Sequence, residues 1–206
     1  MLIDIVKAFL VGVCMAVPIG PVLLLVIQKT VYRGRWAGVA TGIGSALIDT
    51  LYAAIGLFTL SLLEEFFLGH KGIIMLVGGA MVAIIGLRMA FLKPSRVKER
   101  PDNKKTIAGY ALQTAGCALS NPAAIVFAIA ILAFWKLGAD SLTIPVWAAV
   151  IIIFIGEMSW WNFVSFALTH FKRFNNRTVE LLSHIAGAGI AVFGIILVVK
   201  GLLMII

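Results

Sequence analysis

Residues 149–162 read Ala-Val-Ile-Ile-Ile-Phe-Ile-Gly-Glu-Met-Ser-Trp-Trp-Asn. The first seven are apolar on every face, whereas the strands of a membrane barrel alternate apolar and polar residues over segments of about ten. A helix crosses the hydrocarbon core of a bilayer with about 20 apolar residues. This stretch is the centre of a longer apolar segment, Leu142–His170. It predicts a membrane-spanning helix and excludes a barrel.

The rest of the chain repeats this pattern. Of 206 residues, 62% are hydrophobic, against roughly 45–50% in an average soluble domain. Six segments are near the length of a membrane span: Lys7–Ile27, Gly38–Leu63, Gly72–Leu92, Ile107–Trp135, Leu142–His170 and Leu181–Ile206. The first is too long for a cleaved secretory signal, and prolines interrupt it, so we expect it to be retained. We predict an all-α integral membrane protein with six transmembrane helices.

The basic residues give an orientation. The loops after the first, third and fifth segments carry 12 of the 17 lysines and arginines, which are Lys29, Arg33, Arg35, Lys93, Arg96, Lys98, Arg100, Lys104, Lys105, Lys172, Arg173 and Arg177. Short basic loops stay in the cytoplasm, so both termini are predicted to lie outside. The net charge of +8 is thereby explained by membrane topology, without a nucleic-acid partner.

The longest basic loop divides the chain into two halves. Residues 93–106 contain prolines, polar residues and no apolar periodicity, which is typical of a solvated linker; contact with acidic lipids is the alternative. We therefore expect one transmembrane domain made of a first repeat, 1–92, and a second, 107–206. Because each half has an odd number of helices, the two would have opposite orientations, as in transporters built from inverted repeats.

Prolines interrupt the first helix of each half. Pro18, Gly20 and Pro21 fall in the first segment, and aligning Pro18 with Pro122 places the second break at the matching point of the fourth. Each proline removes an amide donor, so a carbonyl about one turn earlier needs another partner. Such paired breaks indicate a binding site between the repeats. Kinks with a purely structural role are the alternative.

Two carboxylates are predicted at mid-membrane. Asp49 lies near the centre of the second segment and Glu157 near the centre of the fifth. An isolated charge there costs roughly 3 kcal/mol or more, so it normally faces a cavity or a partner. The pair would suit a site that exchanges a proton for a cationic group. The alternative is a protonated acid bonded to a neighbouring helix, or an ion pair with Arg88 or Lys200.

Two amides are the other strong hydrogen-bonding groups at this depth. Asn121 precedes the second proline break, and Asn162 follows Glu157 in the fifth segment. Each could hold the carboxylate of a zwitterionic substrate or simply join two helices.

The chain resembles the LysE/RhtB family of amino-acid exporters. The resemblance lies in Pro-Ile-Gly-Pro at 18–21, in Arg-Gly-Arg-Trp-Ala-Gly at 33–38, in the glycine-rich helix that leads to Asp49, and in Ser-Asn-Pro at 120–122. It implies a proton-driven secondary exporter, an antiporter of the cytoplasmic (inner) membrane, with functional residues at Pro18, Gly20, Pro21, Asp49, Asn121 and Pro122. Glu157 rests on the symmetry argument alone.

Other functions remain open at this point. Cys14 and Cys117 occupy similar positions before the two prolines, which would suit a transmembrane thiol/disulfide electron carrier with one cysteine in each half. A membrane scaffold without transport activity is a third possibility. The sequence has no phosphate-binding glycine loop, metal-ligand spacing or nucleophile motif, so we expect neither an enzyme nor a cofactor. The expected partners are a small-molecule substrate, protons and membrane lipid, with a homodimer left open.

Overall fold

A computed structural model describes residues 1–17, 21–62, 71–91, 106–170 and 176–205. These residues form eight α-helices, which are α1 (Leu2–Ala16), α2 (Pro21–Arg33), α3 (Arg35–Leu62), α4 (Lys71–Phe91), α5 (Ile107–Leu119), α6 (Pro122–Phe134), α7 (Val146–His170) and α8 (Asn176–Ile205). A short 3₁₀ helix, Ala139–Ser141, precedes α7. No strand occurs in the described ranges, and the prediction of an all-α protein is confirmed.

Four apolar stretches are long enough to cross a membrane: Arg35–Leu60, Ala124–Ser141, Val146–His170 and Gly187–Ile205. A shorter apolar helix covers Met75–Arg88. The predicted first segment is divided between α1 and α2, and the predicted fourth between α5 and α6. The prediction of exactly six spans and of external termini therefore stays a prediction. The basic linker, predicted at 93–106, lies almost wholly outside the described residues.

Two predicted segment starts differ from the structure. The fifth was placed at Leu142, but α7 begins at Val146, where the Pro145 carbonyl accepts the amides of Ala148 and Ala149 at 2.9 and 3.1 Å. Residues just before a proline are disfavoured from helical geometry, which explains the later start. The sixth was placed at Leu181, whereas α8 begins at Asn176, because helical hydrogen bonding continues into its polar first turns.

Helices α4 and α8 pack against each other along glycines spaced seven residues apart. A Cβ at Gly79 would lie 2.9 Å from the Gly194 carbonyl oxygen, and one at Gly86 would lie 2.8 Å from that of Gly187. Glycine lets two helix backbones come this close inside a membrane. The two helices run antiparallel, because the later glycine of α4 lies against the earlier glycine of α8.

The other helices form the part of the fold that holds the carboxylates. Helix α1 packs on α7, and α5 packs on α3, while α3 and α7 also pack on each other. A Cβ at Gly12 of α1 would lie 2.0 Å from the Ile153 carbonyl oxygen of α7. A Cβ at Gly44 of α3 would lie 1.9 Å from that of Ala111 in α5. Both interfaces thus depend on a glycine.

Candidate functional site

Asp49 is held on α3, the long helix at the centre of these contacts. Its side chain is buried, with 9% of its surface exposed. Ser45, one turn earlier, donates a hydrogen bond from Oγ to Asp49 Oδ2 at 2.8 Å. This bond fixes one carboxylate oxygen and leaves the other available to a further donor.

Glu157 on α7 has no such donor. It is completely buried, and within the described residues neither Oε1 nor Oε2 has a hydrogen-bond partner. An ionised carboxylate in this setting would be very costly, because burial removes water and nothing replaces it. Glu157 is therefore compatible with this packing only when it carries a proton or when a cation is bound.

The two carboxylates belong to the two helices of the α3–α7 interface. A Cβ at Gly38 would lie 2.8 Å from Ser165 Oγ, and one at Gly42 would lie 2.6 Å from the Trp161 Cβ. These pairs show that α3 and α7 run antiparallel. Further along the same interface, the Asp49 carboxylate acts electrostatically on that of Glu157. The structure thus brings together two of the predicted site residues.

Apolar side chains close this site on both sides. A first apolar cluster includes Met15, Tyr52, Ala53, Leu57, Leu132 and Ile153. A second apolar cluster includes Ala16, Leu23, Val26, Ala46, Trp161 and Leu168. On α3, Asp49 lies between Ala46 of the second cluster and Tyr52 of the first. On α7, Glu157 lies between Ile153 of the first cluster and Trp161 of the second. We call Ser45, Asp49 and Glu157 the acidic layer.

The two predicted asparagines, Asn121 and Asn162, are not part of the acidic layer. Asn162 Nδ2 donates to the Met158 carbonyl of its own helix at 2.8 Å. Asn121 lies in the break between α5 and α6, where its backbone amide donates to the Ala118 carbonyl at 3.0 Å. Their role in holding a substrate carboxylate therefore stays a prediction.

The break between α5 and α6 is satisfied from within the protein. Ser120 Oγ donates to the Gly116 carbonyl at 2.8 Å. The Tyr52 hydroxyl of α3 donates to the Leu119 carbonyl at 3.2 Å. Helix α6 then begins at Pro122. The Ala118 carbonyl, which loses a helical donor at Pro122, accepts the Asn121 amide at 3.0 Å, and the Leu119 carbonyl accepts a donor from α3.

The first break has a similar place in the chain. Helix α1 ends at Ala16, and α2 begins at Pro21. Pro18 and Gly20 lie outside the described residues. The gating roles predicted for these residues and for Pro122 stay predictions.

The alternative partners for the carboxylates are absent. Within the described ranges, no salt bridge joins Asp49 or Glu157 to Arg88 or Lys200. Arg88 is exposed, and the Lys200 ammonium lies 5.4 Å from the centre of the Phe134 ring. Asp49 is bonded within its own helix rather than to a neighbouring one. Among the described residues the structure shows no ion pair for these acids, and the roles of Asp49 and Glu157 stay predictions.

Comparison with known proteins agrees with the resemblance. The model of the LysE type translocator family matches residues 13–201. The chain belongs to the LysE family. It is also 32% identical, over 196 residues, to the uncharacterized membrane protein YahN of Escherichia coli (strain K12), covering 88% of this chain and 83% of that protein. No solved structure matches the chain.

Membership of the LysE family makes this chain a membrane translocator. A translocator acts on a small-molecule substrate within a membrane, and this family is not one of enzymes. The thiol-carrier alternative receives no support from it. Cys14 and Cys117 are unpaired and half-buried, and Cys14 packs against the first apolar cluster. Within the described residues, no group of three His, Cys, Asp or Glu side chains could hold a metal ion.

Sequence reasoning missed three residues at this candidate site. Ser45 donates to Asp49, and Tyr52 donates to the Leu119 carbonyl at the second break. The Trp161 indole nitrogen is buried without a partner in the described structure. Ser45 was detectable, since a hydroxyl four residues before a buried Asp lies on the same helix face. The partners of Tyr52 and Trp161 depend on how helices pack, which one sequence does not reveal.

Proposed function

We propose that this LysE-family protein exports amino acids or related small amines across the cytoplasmic membrane in exchange for protons. The observation that supports this most directly is the buried Glu157 carboxylate, whose two oxygens have no hydrogen-bond partner among the described residues and which lies on the helix packed against that of Asp49. Such a site is suited to two states of equal charge, one with a proton and one with a substrate ammonium group. A site that alternates between them couples the two movements.

The acidic layer gives each carboxylate a separate role. Asp49 keeps one bond to Ser45, so it offers a fixed acceptor for an ammonium group in either state. Glu157 has no internal donor among the described residues, so it requires the exchanging proton or the substrate itself. The Trp161 N–H, also unpaired there and 2% exposed, is a donor available to a substrate carboxylate.

The packing supports alternating access between two inverted halves. Helix α1 packs on α7 as α5 packs on α3, which is the exchange of partners expected from a two-fold axis in the membrane plane. Each half also begins with a broken helix. Rocking about these breaks would open one apolar cluster at a time, so the acidic layer would face the cytoplasm and then the outside, where both termini are predicted to lie.

Purified protein in vesicles that contain a pH-sensitive dye tests this proposal. Adding lysine or threonine to one side should move protons in the opposite direction to the amino acid. Asp49→Asn should weaken substrate binding, and Glu157→Gln should leave substrate movement without proton movement. Asp140→Asn, which changes an exposed carboxylate, is the matched control and should behave as wild type.

Two results would contradict the proposal. One is proton movement in Glu157→Gln equal to that of the wild type. The other is no response to any proteinogenic amino acid or its decarboxylated amine. The double variant Cys14→Ser, Cys117→Ser should export at the wild-type rate, since no thiol takes part in the exchange.

A further inference from the structure

A second group of unpaired polar atoms lies at the junction of α2, α3 and α7. Within the described residues, Thr30 Oγ1, Arg35 Nε and Ser165 Oγ are buried and have no hydrogen-bond partner. Thr30 is 2% exposed and Ser165 is 0% exposed. Buried hydroxyls in helices often donate to the carbonyl four residues earlier, as Thr41 and Thr114 do in this protein. The two hydroxyls at this junction do not.

Gly38 brings these two hydroxyls to one point. A Cβ at this position would lie 1.8 Å from Thr30 Oγ1 and 2.8 Å from Ser165 Oγ. The two oxygens, from α2 and α7, therefore lie within a few ångströms of each other beside the backbone of α3. Any larger residue at position 38 would displace them.

Arg35 supplies a positive charge at the same junction. It lies one turn before Gly38 on α3, and its guanidinium carbon is 5.4 Å from the centre of the Phe166 ring. Phe166 directly follows Ser165 in α7. The first turn of α3, which begins after Gly34, adds the positive end of a 28-residue helix. Two unpartnered hydroxyls, a guanidinium and a positive helix end thus belong to the same helix junction.

This chemistry is suited to a carboxylate. Guanidinium groups bind carboxylates through paired N–H donors, and hydroxyls add further donors to the same oxygens. A lipid phosphate has similar oxygens, but its acyl chains keep it at the membrane surface, whereas both hydroxyls are buried inside the helix junction. A headgroup at the membrane surface would reach Arg35 without reaching Thr30 or Ser165. The free carboxylate of a small molecule is the better match.

The junction is too far from the acidic layer to be part of it. At 1.5 Å per residue, Gly38 is about 16 Å from Asp49 along α3, and Ser165 is about 12 Å from Glu157 along α7. One free amino acid does not span either distance. The two positions are therefore successive sites, and this one lies toward the basic loop predicted to be cytoplasmic.

We infer that Thr30, Arg35 and Ser165 form an entry site that binds the carboxylate of the exported amino acid before it moves to the acidic layer. This inference rests on the proposed export of amino acids. Amines that lack a carboxylate would bypass the site and bind at the acidic layer alone.

Binding to the purified full-length protein tests the entry site, with thermal stabilisation as the readout. Lysine and threonine are compared with cadaverine, which is lysine without its carboxylate. Thr30→Val and Ser165→Ala should weaken amino-acid binding by about tenfold to a hundredfold, the effect of losing a bond to a charged group. Cadaverine binding should not change. Arg33→Gln, which changes an exposed arginine at the end of α2, is the control for Arg35→Gln.

The possible outcomes are distinct. Equal loss of lysine and cadaverine binding would overturn the entry site, as would no stabilisation by any proteinogenic amino acid. If Arg35→Gln abolished stabilisation by phosphatidylglycerol and left amino-acid binding unchanged, Arg35 would bind a lipid and not the substrate. Thr30→Ser and Ser165→Thr keep the two hydroxyls. If these variants have wild-type thermal midpoints without ligand and bind amino acids as the wild type does, the entry site is supported. If amino-acid binding depended on Thr30 but the protein exported nothing in vesicles, only the exporter proposal would be refuted.

Discussion

The Tyr52 hydroxyl of α3 donates a hydrogen bond to the Leu119 carbonyl, the last residue of α5, at 3.2 Å. Tyr52 is three residues after Asp49, so the same stretch of α3 carries an acidic-layer carboxylate and a donor to the second helix break. The ring is 8% exposed and belongs to the first apolar cluster. A movement of the end of α5 at this break would therefore act directly on α3 near Asp49.

Tyr52→Phe removes this bond and keeps the ring. We expect the free energy of unfolding to fall by about 1 kcal/mol, the usual net value of such a bond, and the maximal export rate to fall with little change in half-saturation. Thermal unfolding in detergent and vesicle transport measure the two effects. Tyr32→Phe is the control, because Tyr32 is 45% exposed. Equal behaviour of the two variants would show that the bond has no role.

Gly12 and Gly116 occupy aligned positions in the two halves, yet they have different surroundings. A Cβ at Gly12 would lie 2.0 Å from the Ile153 carbonyl oxygen, whereas nothing lies within 4 Å of one at Gly116. Gly12→Ala should destabilise the protein by about 1–3 kcal/mol, as overpacking does. Gly116→Ala should be neutral or slightly stabilising, since alanine favours helix. Similar thermal midpoints for the two variants would contradict this packing.

This difference also shows what the sequence could and could not predict. The apolar segments predicted the helices, and Asp49 and Glu157 were found because charge at membrane depth is rare. The alignment of the halves matched their prolines but not their glycine contacts. Which residue faces which depends on the rotation and register of packed helices, and a single sequence carries no direct signal for either.

The same reason explains the residues that were missed. Nothing in the sequence distinguishes these residues from others in apolar helices; they are Tyr52, Trp161, Thr30 and Ser165. Their polar atoms matter only because of the hydrogen-bond partners that the packed helices provide or withhold. Asn162 shows the converse. It is a conspicuous amide in the sequence, but its side chain donates to the Met158 carbonyl one turn earlier.

Asp4, in the first turn of α1 and ahead of the apolar segment, is bonded to the loop before α7. Its Oδ2 accepts the Thr143 amide at 3.0 Å and also the Thr143 hydroxyl. These bonds hold the pKa of Asp4 below its ordinary value of 3.8. A carboxylate with a lowered pKa stabilises the fold above its unfolded pKa, and this contribution is lost as the pH falls through the folded value.

Asp4→Ala should therefore lower the thermal midpoint at neutral pH, and the difference from wild type should shrink in strong acid. Thermal unfolding in detergent over a pH series measures this. Asp140→Ala, on the same connection between α6 and α7, is the control because Asp140 is exposed. A difference between Asp4→Ala and wild type that is independent of pH would show that packing, and not charge, connects α1 to this loop.

Replacing Glu157 is expected to leave stability intact while abolishing transport. Its side chain is 0% exposed and, in the described structure, both oxygens lack partners. Replacing a buried unpaired polar group by an apolar one of similar shape is often neutral or stabilising. Glu157→Met should therefore keep or raise the free energy of unfolding, by up to about 2 kcal/mol, while proton-coupled export is lost.

Ile153→Ala is the matched control, since Ile153 lies one turn earlier on α7 and is also 0% exposed. Its loss of buried apolar volume should cost about 2–5 kcal/mol. The thermal midpoints of the two variants should therefore move apart. If Glu157→Met instead lost as much stability as Ile153→Ala, Glu157 would have an internal partner, and its availability to a proton or an ammonium group would be refuted.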